Sequence, residues 1–151
     1  MGLDMYLRKV TYIGAEYKHR NVTGNVTINV DGKPLQINFN RITYINETVM
    51  YWRKANAIHQ WFVDNVQGGV DDCRYAELSI SKLQELLNEL IAVNSNRDKA
   101  AELLPTTSGF FFGGTDYDEY YWEDVEKTIT KLTEILAEDN SQAHFEYHSS
   151  W

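Results

Sequence analysis

A single cysteine, Cys73, occurs in the 151 residues, so no internal disulfide can form and the chain fits a reducing compartment. It sits in Asp71-Asp72-Cys73-Arg74, a mixed-charge setting that does not mark an activated thiol. No stretch approaches the roughly 18 consecutive apolar residues of a membrane-spanning helix. The opening Met1-Gly2-Leu3-Asp4-Met5-Tyr6 has neither a basic lead nor an apolar signal core, and Tyr6 breaks the myristoylation pattern. The expectation is a cytoplasmic protein without a membrane partner. Basic residues are scarce, 14 Lys and Arg against 22 Asp and Glu, for a net charge of −8. That excludes a general binder of nucleic-acid polymers, which need clustered cations to hold phosphate. There is no Ser-His-Asp order with a nucleophile elbow, no zinc signature and no two-cysteine motif. Internal repeats, low-complexity tracts and linkers are absent as well, so residues 1–151 are expected to form a single domain.

What is present is apolar and aromatic. Hydrophobic residues make up 43% of the chain and aromatics 13%, with 4 Trp, 10 Tyr and 6 Phe, too rich a mixture for a disordered chain. A domain of this size buries roughly 68–70% of the surface its unfolded chain would expose. Charge is unevenly spread: residues 1–56 hold eight Lys and Arg against four Asp and Glu, and residues 57–151 hold six against eighteen. The N-terminal third can therefore hold an anion while the remainder keeps the protein dispersed.

Period-two alternation from Leu3 to Ile13 predicts a strand. Asn25 to Val30 and Leu35 to Phe39 alternate on either side of Asp31-Gly32 and predict a hairpin. Ile42 to Ile45 continues the sheet or leads into a helix. From Thr48 onward, Tyr51, Ala55, Ile58, Phe62 and Val66 recur at spacings of four, three, four and four, which predicts a helix ending at Gly68-Gly69. Ser81 with Gln84 forms a capping box for a second helix to about Val93. Arg97 to Leu104 is a short helix stopped by Pro105. A last helix spans Asp118 to Ala137, with Trp122, Val125, Ile129, Leu132 and Leu136 on its buried stripe. Tyr75 to Ile80 and Ala143 to Tyr147 are further strands. The fold class expected is α+β, an antiparallel sheet with an N-terminal hairpin packed against about three helices.

Two stretches concentrate chemistry. Tyr51-Trp52-Arg53-Lys54-Ala55-Asn56-Ala57-Ile58-His59 brings rings, cations, an amide and an imidazole together, a set suited to a small, flat, anionic ligand. Arg53 and Lys54 reach such a ligand only if the helix N-terminus points into the site, where free amides also favour an anion. Ser108-Gly109-Phe110-Phe111-Phe112-Gly113-Gly114-Thr115-Asp116-Tyr117 places three consecutive rings between glycines, so at least one ring points away from the core unless the loop folds over something. It lacks the features of a phosphate loop or of a dinucleotide fingerprint. The plainer readings are a boundary histidine at His59, solvated cations, and a Phe plug under a long connection. Gly68 to Asp72 is a flexible turn whose carboxylates face solvent, since a calcium loop needs other spacing. His144, Glu146 and His148 share one strand face, a metal-ligand set or simply an outward polar row. No cofactor is implied.

The opening Met1 to Leu7, the block Tyr51 to Cys73 and the loop Ser108 to Gly113 together resemble a family of small proteins encoded by bacteriophages and prophages. The resemblance carries no catalytic residues. It implies a setting, the host bacterial cytoplasm, in which small phage proteins sequester nucleotide signals of bacterial immunity such as cyclic dinucleotides or cyclic ADP-ribose derivatives. The expectation is a non-enzymatic binder of a nucleotide-derived ligand. Trp52, Phe110, Phe112 and Tyr117 would stack the base, Arg53, Lys54 and the amides around Ser108, Gly109 and Thr115 would hold phosphate, and Asn56 and His59 would complete the site. The alternatives are a nucleotide hydrolase using His59 or the His144/Glu146/His148 face, and an inhibitor binding a host protein through the acidic half. An exposed aromatic loop is often covered by another chain, giving a homodimer or larger homo-oligomer.

Overall fold

The computed structural model describes residues 2–151; Met1, the first residue of the opening block, lies outside the described residues. The alternation at the N-terminus forms strand β1 (Asp4–Tyr12), which sends Met5 and Leu7 into the core and leaves Tyr6 and Arg8 on the opposite face. The predicted hairpin forms as β2 (Ile28–Val30) and β3 (Lys33–Leu35). Asp31 and Gly32 hold φ of 50° and 75° between them, the two positive values that a two-residue type I′ turn requires. This ribbon stays separate from the main sheet. The neighbour of β1 is instead β4 (Tyr44–Arg53), and with β5 (Ala76–Leu78) and β6 (Ala143–Ser150) the sheet order is β4-β1-β6-β5, antiparallel throughout.

The helices are α1 (Asn56–Asn65), α2 (Ile80–Ser95), α3 (Ala100–Leu103) and α4 (Glu119–Ala137). Asp118 caps α4 by accepting from the amide of Tyr121 at 3.1 Å. The cap of α2 is Ser79, which accepts from Lys82 at 3.2 Å, and not the expected Ser81 two residues later. No helix among the described residues is long and apolar enough to cross a membrane.

One expectation is overturned. Residues 48–53 are the end of strand β4, and the helix begins only at Asn56. The apolar spacing from Tyr51 to Ala55 mimics a helical stripe, but Thr48, Tyr51 and Trp52 are strand formers whose backbone partners lie on β1, with Trp52 opposite Met5 and Tyr51 opposite Tyr6. Leu7 faces Met50 and Arg8 faces Thr48, so Val49 is the extra residue of a bulge that resets the alternation. Trp52 therefore points inward. The turn into α1 is made by Lys54, whose φ is 60°.

The core lies between the sheet and the helices. Phe62 of α1 stacks on Tyr147 of β6 at 3.9 Å and 7°, while Trp52 and Trp61 meet Phe62 edge-on at 5.8 and 5.4 Å. Each such ring, fully buried, contributes about 1.5–3 kcal/mol or more. Polar bonds fix the register between elements: Trp52 Nε1 donates to Thr128 Oγ1 at 2.7 Å, Trp61 Nε1 to Glu89 at 2.8 Å, and Tyr121 Oη to the Leu104 carbonyl at 2.9 Å.

Candidate functional site

A cavity of about 560 Å³ opens where β4 turns into α1, within the range of small-molecule sites, about 300–1,000 Å³. Its buried lining is apolar apart from Asn56, and comes mainly from Trp52, Ile58, Leu104, Tyr121 and Val125. Arg53, Lys54 and the first turn of α1 form one wall, the loop residues Thr106, Gly113, Gly114 and Asp116 another, and Asp118 to Lys127 of α4 the third. Tyr120, 69% exposed, borders it with a ring free to pack on a ligand, while the bordering Tyr51 packs on Tyr6 at 5.3 Å and donates its hydroxyl to Asp4.

The helix end in this cavity is uncapped. Ala55 occupies the cap position and carries no hydrogen-bonding side chain, and the amides of Ala57 and Ile58 have no acceptor among the described residues. These amides and the helix dipole favour negative charge. Arg53 and Lys54 add two full charges, and neither pairs with a carboxylate among the described residues. On the α4 side, Asp118 is committed to its cap and Glu123 lies 3.4 Å from Lys127, whereas the carboxylates of Asp116 and Asp124 have no bonded partner among the described residues. Burial pushes the Asp124 carboxyl up to about 6, reinforced by Glu123 and Asp118 and opposed by Lys127. The cavity is thus polarised, with unpaired cations and amides at one end and unpaired hydrogen-bond acceptors at the other.

Asn56 has a different place from the one its sequence position implies. It is buried, and its amide donates to the carbonyls of Phe112 and Gly114 at 3.0 and 2.8 Å while its Oδ1 accepts from Thr107 at 2.9 Å. It clamps the aromatic loop to α1 and has little capacity left for a ligand. The loop itself divides. Phe112 is buried, edge-on to His59 at 5.0 Å, and a Cβ on Gly109 would fall 2.5 Å from its ring. Phe110 is 94% exposed and packs only against Phe111 at 4.7 Å. Thr115 accepts through its carbonyl from Thr106, and Tyr117 packs on Tyr121 at 5.0 Å. Ser108, Gly109, Phe110, Phe112, Thr115 and Tyr117 do not line the cavity, while Trp52, Arg53, Lys54 and Asn56 do. The Trp52 ring, 2% exposed, is enclosed by the core and presents no open face for stacking.

His59 is wholly buried. Its Nδ1 lies 2.7 Å from the Tyr147 hydroxyl and its Nε2 2.9 Å from Asp71, whose other oxygen accepts from Trp151 Nε1 at 3.1 Å. Burial drives the Tyr147 pKa well above its ordinary value, so its hydroxyl keeps its proton, and the Asp71 carboxylate accepts from Nε2–H. Asp71, expected to be a solvated turn residue, is the carboxylate of this relay. On β6, His144 contacts Glu146 at 3.3 Å, and His148 stacks on Tyr75 at 4.2 Å with its pKa lowered by burial and by Arg8. No group of three or more His, Cys, Asp and Glu side chains poised for a metal occurs among the described residues.

Sequence reasoning missed the α4 wall and the ring of Tyr120. The signal was the run Asp116 to Asp124, in which five acids and three tyrosines flank a helix start. Comparison with protein-family models, curated proteins and solved structures returns no match.

Proposed function

We propose that this protein is a phage-type binding protein that captures a small nucleotide-derived anion, a cyclic dinucleotide or a cyclic ADP-ribose derivative, and holds it without turnover in the cytoplasm of an infected bacterium. The observation that carries the reading is the convergence of an uncapped helix N-terminus, Arg53 and Lys54 on one end of a cavity of about 560 Å³. Phosphate binds there by charge-assisted bonds from backbone amides and side chains. The opposite end suits the rest of such a ligand, since Asp116 and Asp124 accept from ribose hydroxyls or an exocyclic amine and Tyr120 packs on the base. His59 is engaged at both ring nitrogens by the protein itself, so it supports no hydrolytic role here. Replacing Arg53 and Lys54 together by Ala tests the reading by titration calorimetry. Affinity for the bound nucleotide is expected to fall about 10- to 100-fold, the loss of one or two charge-assisted bonds. Unchanged affinity would remove the proposal.

A further inference from the structure

From Ala15 to Tyr51 no residue is buried. This stretch contains the β2–β3 hairpin, every residue of which is exposed. Ile28 and Leu35 lie opposite one another in its register, with Val30 two residues along on the same face. They are 42%, 50% and 52% exposed. An isolated two-stranded ribbon is marginal in water, and one presenting three aliphatic side chains to solvent leaves its stabilising face unused. The arm is rooted firmly: Ile13 and Ala15 donate to the carbonyls of Thr43 and Ile42 at 2.8 and 2.9 Å, and Arg20 donates to Ile13 at 3.2 Å while lying over the Tyr12 ring at 4.5 Å. It projects from an anchored neck with its apolar face open to solvent.

Charge says what covers it. Residues 17–41 hold four Lys and Arg and one Asp, a balance of +3, and the remaining residues hold ten against twenty-one, a balance of −11. We infer that residues 17–41, net positive through Lys18, Arg20 and Arg41 outside a hairpin that is itself neutral, form an oligomerisation arm whose hairpin lays its apolar face on the acidic body of a second copy of this chain. Two arms packed on each other would oppose +3 to +3, whereas arm on body opposes +3 to −11 and gains at every approach. Reciprocal exchange of arms closes a two-fold dimer. The inference is independent of what the cavity binds.

Sedimentation velocity across a concentration series tests it, on the unmodified chain and on two arm variants. One variant is Ile28→Asp with Leu35→Asp, the other Lys18→Glu with Lys33→Glu; both alter side chains outside the core, and near-UV circular dichroism confirms that the body is intact. The unmodified chain is expected to be a dimer or larger, with dissociation promoted by salt because contacts between exposed charges are screened within about 10 Å at 0.1 M. Each variant is expected to weaken association at least about tenfold, the equivalent of 1.4 kcal/mol. A monomer at every concentration, including one that instead captures some other protein, overturns the inference. So does an oligomer indifferent to both variants, or one that tightens with salt, which would mean arm packed on arm.

Discussion

Lys54 and Gly113 meet at the rim of the cavity, each in the left-handed backbone region, with φ of 60° and 84°. A Cβ on Gly113 would lie 3.2 Å from the Cβ of Lys54. The lysine accepts backbone strain at the strand-to-helix turn, and the glycine makes room for it. Gly113→Ala is expected to cost about 1–2 kcal/mol from left-handed strain alone, with a further loss of ligand affinity because the crowded Lys54 stem must shift. Urea denaturation and titration calorimetry on the same variant measure both.

Lys54→Gly separates stability from binding. Removing a side chain from a left-handed position is expected to raise stability by up to about 1 kcal/mol, after the entropy cost of glycine in the unfolded chain. Affinity for an anionic nucleotide should fall in the same variant. A residue placed for stability alone would show no such opposition.

Asn56 holds the loop through three hydrogen bonds, one buried and two partly buried. Asn56→Ala should lower unfolding free energy by about 2–3 kcal/mol, since its partners lose their bonds in a site with little water. Limited proteolysis should then cut first between Pro105 and Asp118, where the clamp normally holds the chain.

Asp71 and His59 are assigned to the frame of the molecule. Asp71→Ala leaves His59 Nε2 without its acceptor, at an expected cost of about 1–3 kcal/mol. Nucleotide affinity should remain within about twofold, because the relay does not line the cavity. Denaturation and calorimetry on one preparation distinguish this from a role in ligand chemistry.

Asp124 gives the cavity a pH dependence. Its carboxyl titrates near 6 in the folded protein, above the ordinary 3.8, so the folded state binds the proton more tightly than the unfolded one. The penalty for burying the charged form is present above about pH 6 and is relieved as pH falls toward 4. The neutral form also removes negative charge from an anion site. A cyclic dinucleotide, whose phosphodiesters do not titrate in this window, should bind more tightly below pH 6. Asp124→Asn should bind as tightly at pH 7 as the parent does at low pH and lose the dependence.

Much of the fold follows from local pattern. The Asp31-Gly32 turn, the alternation of β1 and the Asp118 cap each carry their own stereochemical signal, and each element forms where its signal lies. The start of α1 has none: no glycine, proline or capping side chain marks the turn at Lys54, and the spacing of Tyr51, Ala55 and Ile58 continues a helical stripe back into a strand. That error places Trp52 on a helix face when its ring belongs to the core. The relay was invisible for another reason, since its members lie 12 and 88 residues apart in the chain. The cavity was half legible. Arg53 and Lys54 were visible as cations ahead of a helix, while the facing acids of α4 depend on a packing that no local pattern encodes.

Incubation with a panel of cyclic dinucleotides and cyclic ADP-ribose derivatives, followed by heat removal of the protein and mass spectrometry of the supernatant, tests the central claim most directly. The account expects at least one compound to be depleted from free solution, to raise the melting temperature, and to return chemically intact after heating. Recovery of a smaller product would make the protein an enzyme, and failure of every compound to bind would contradict the account outright.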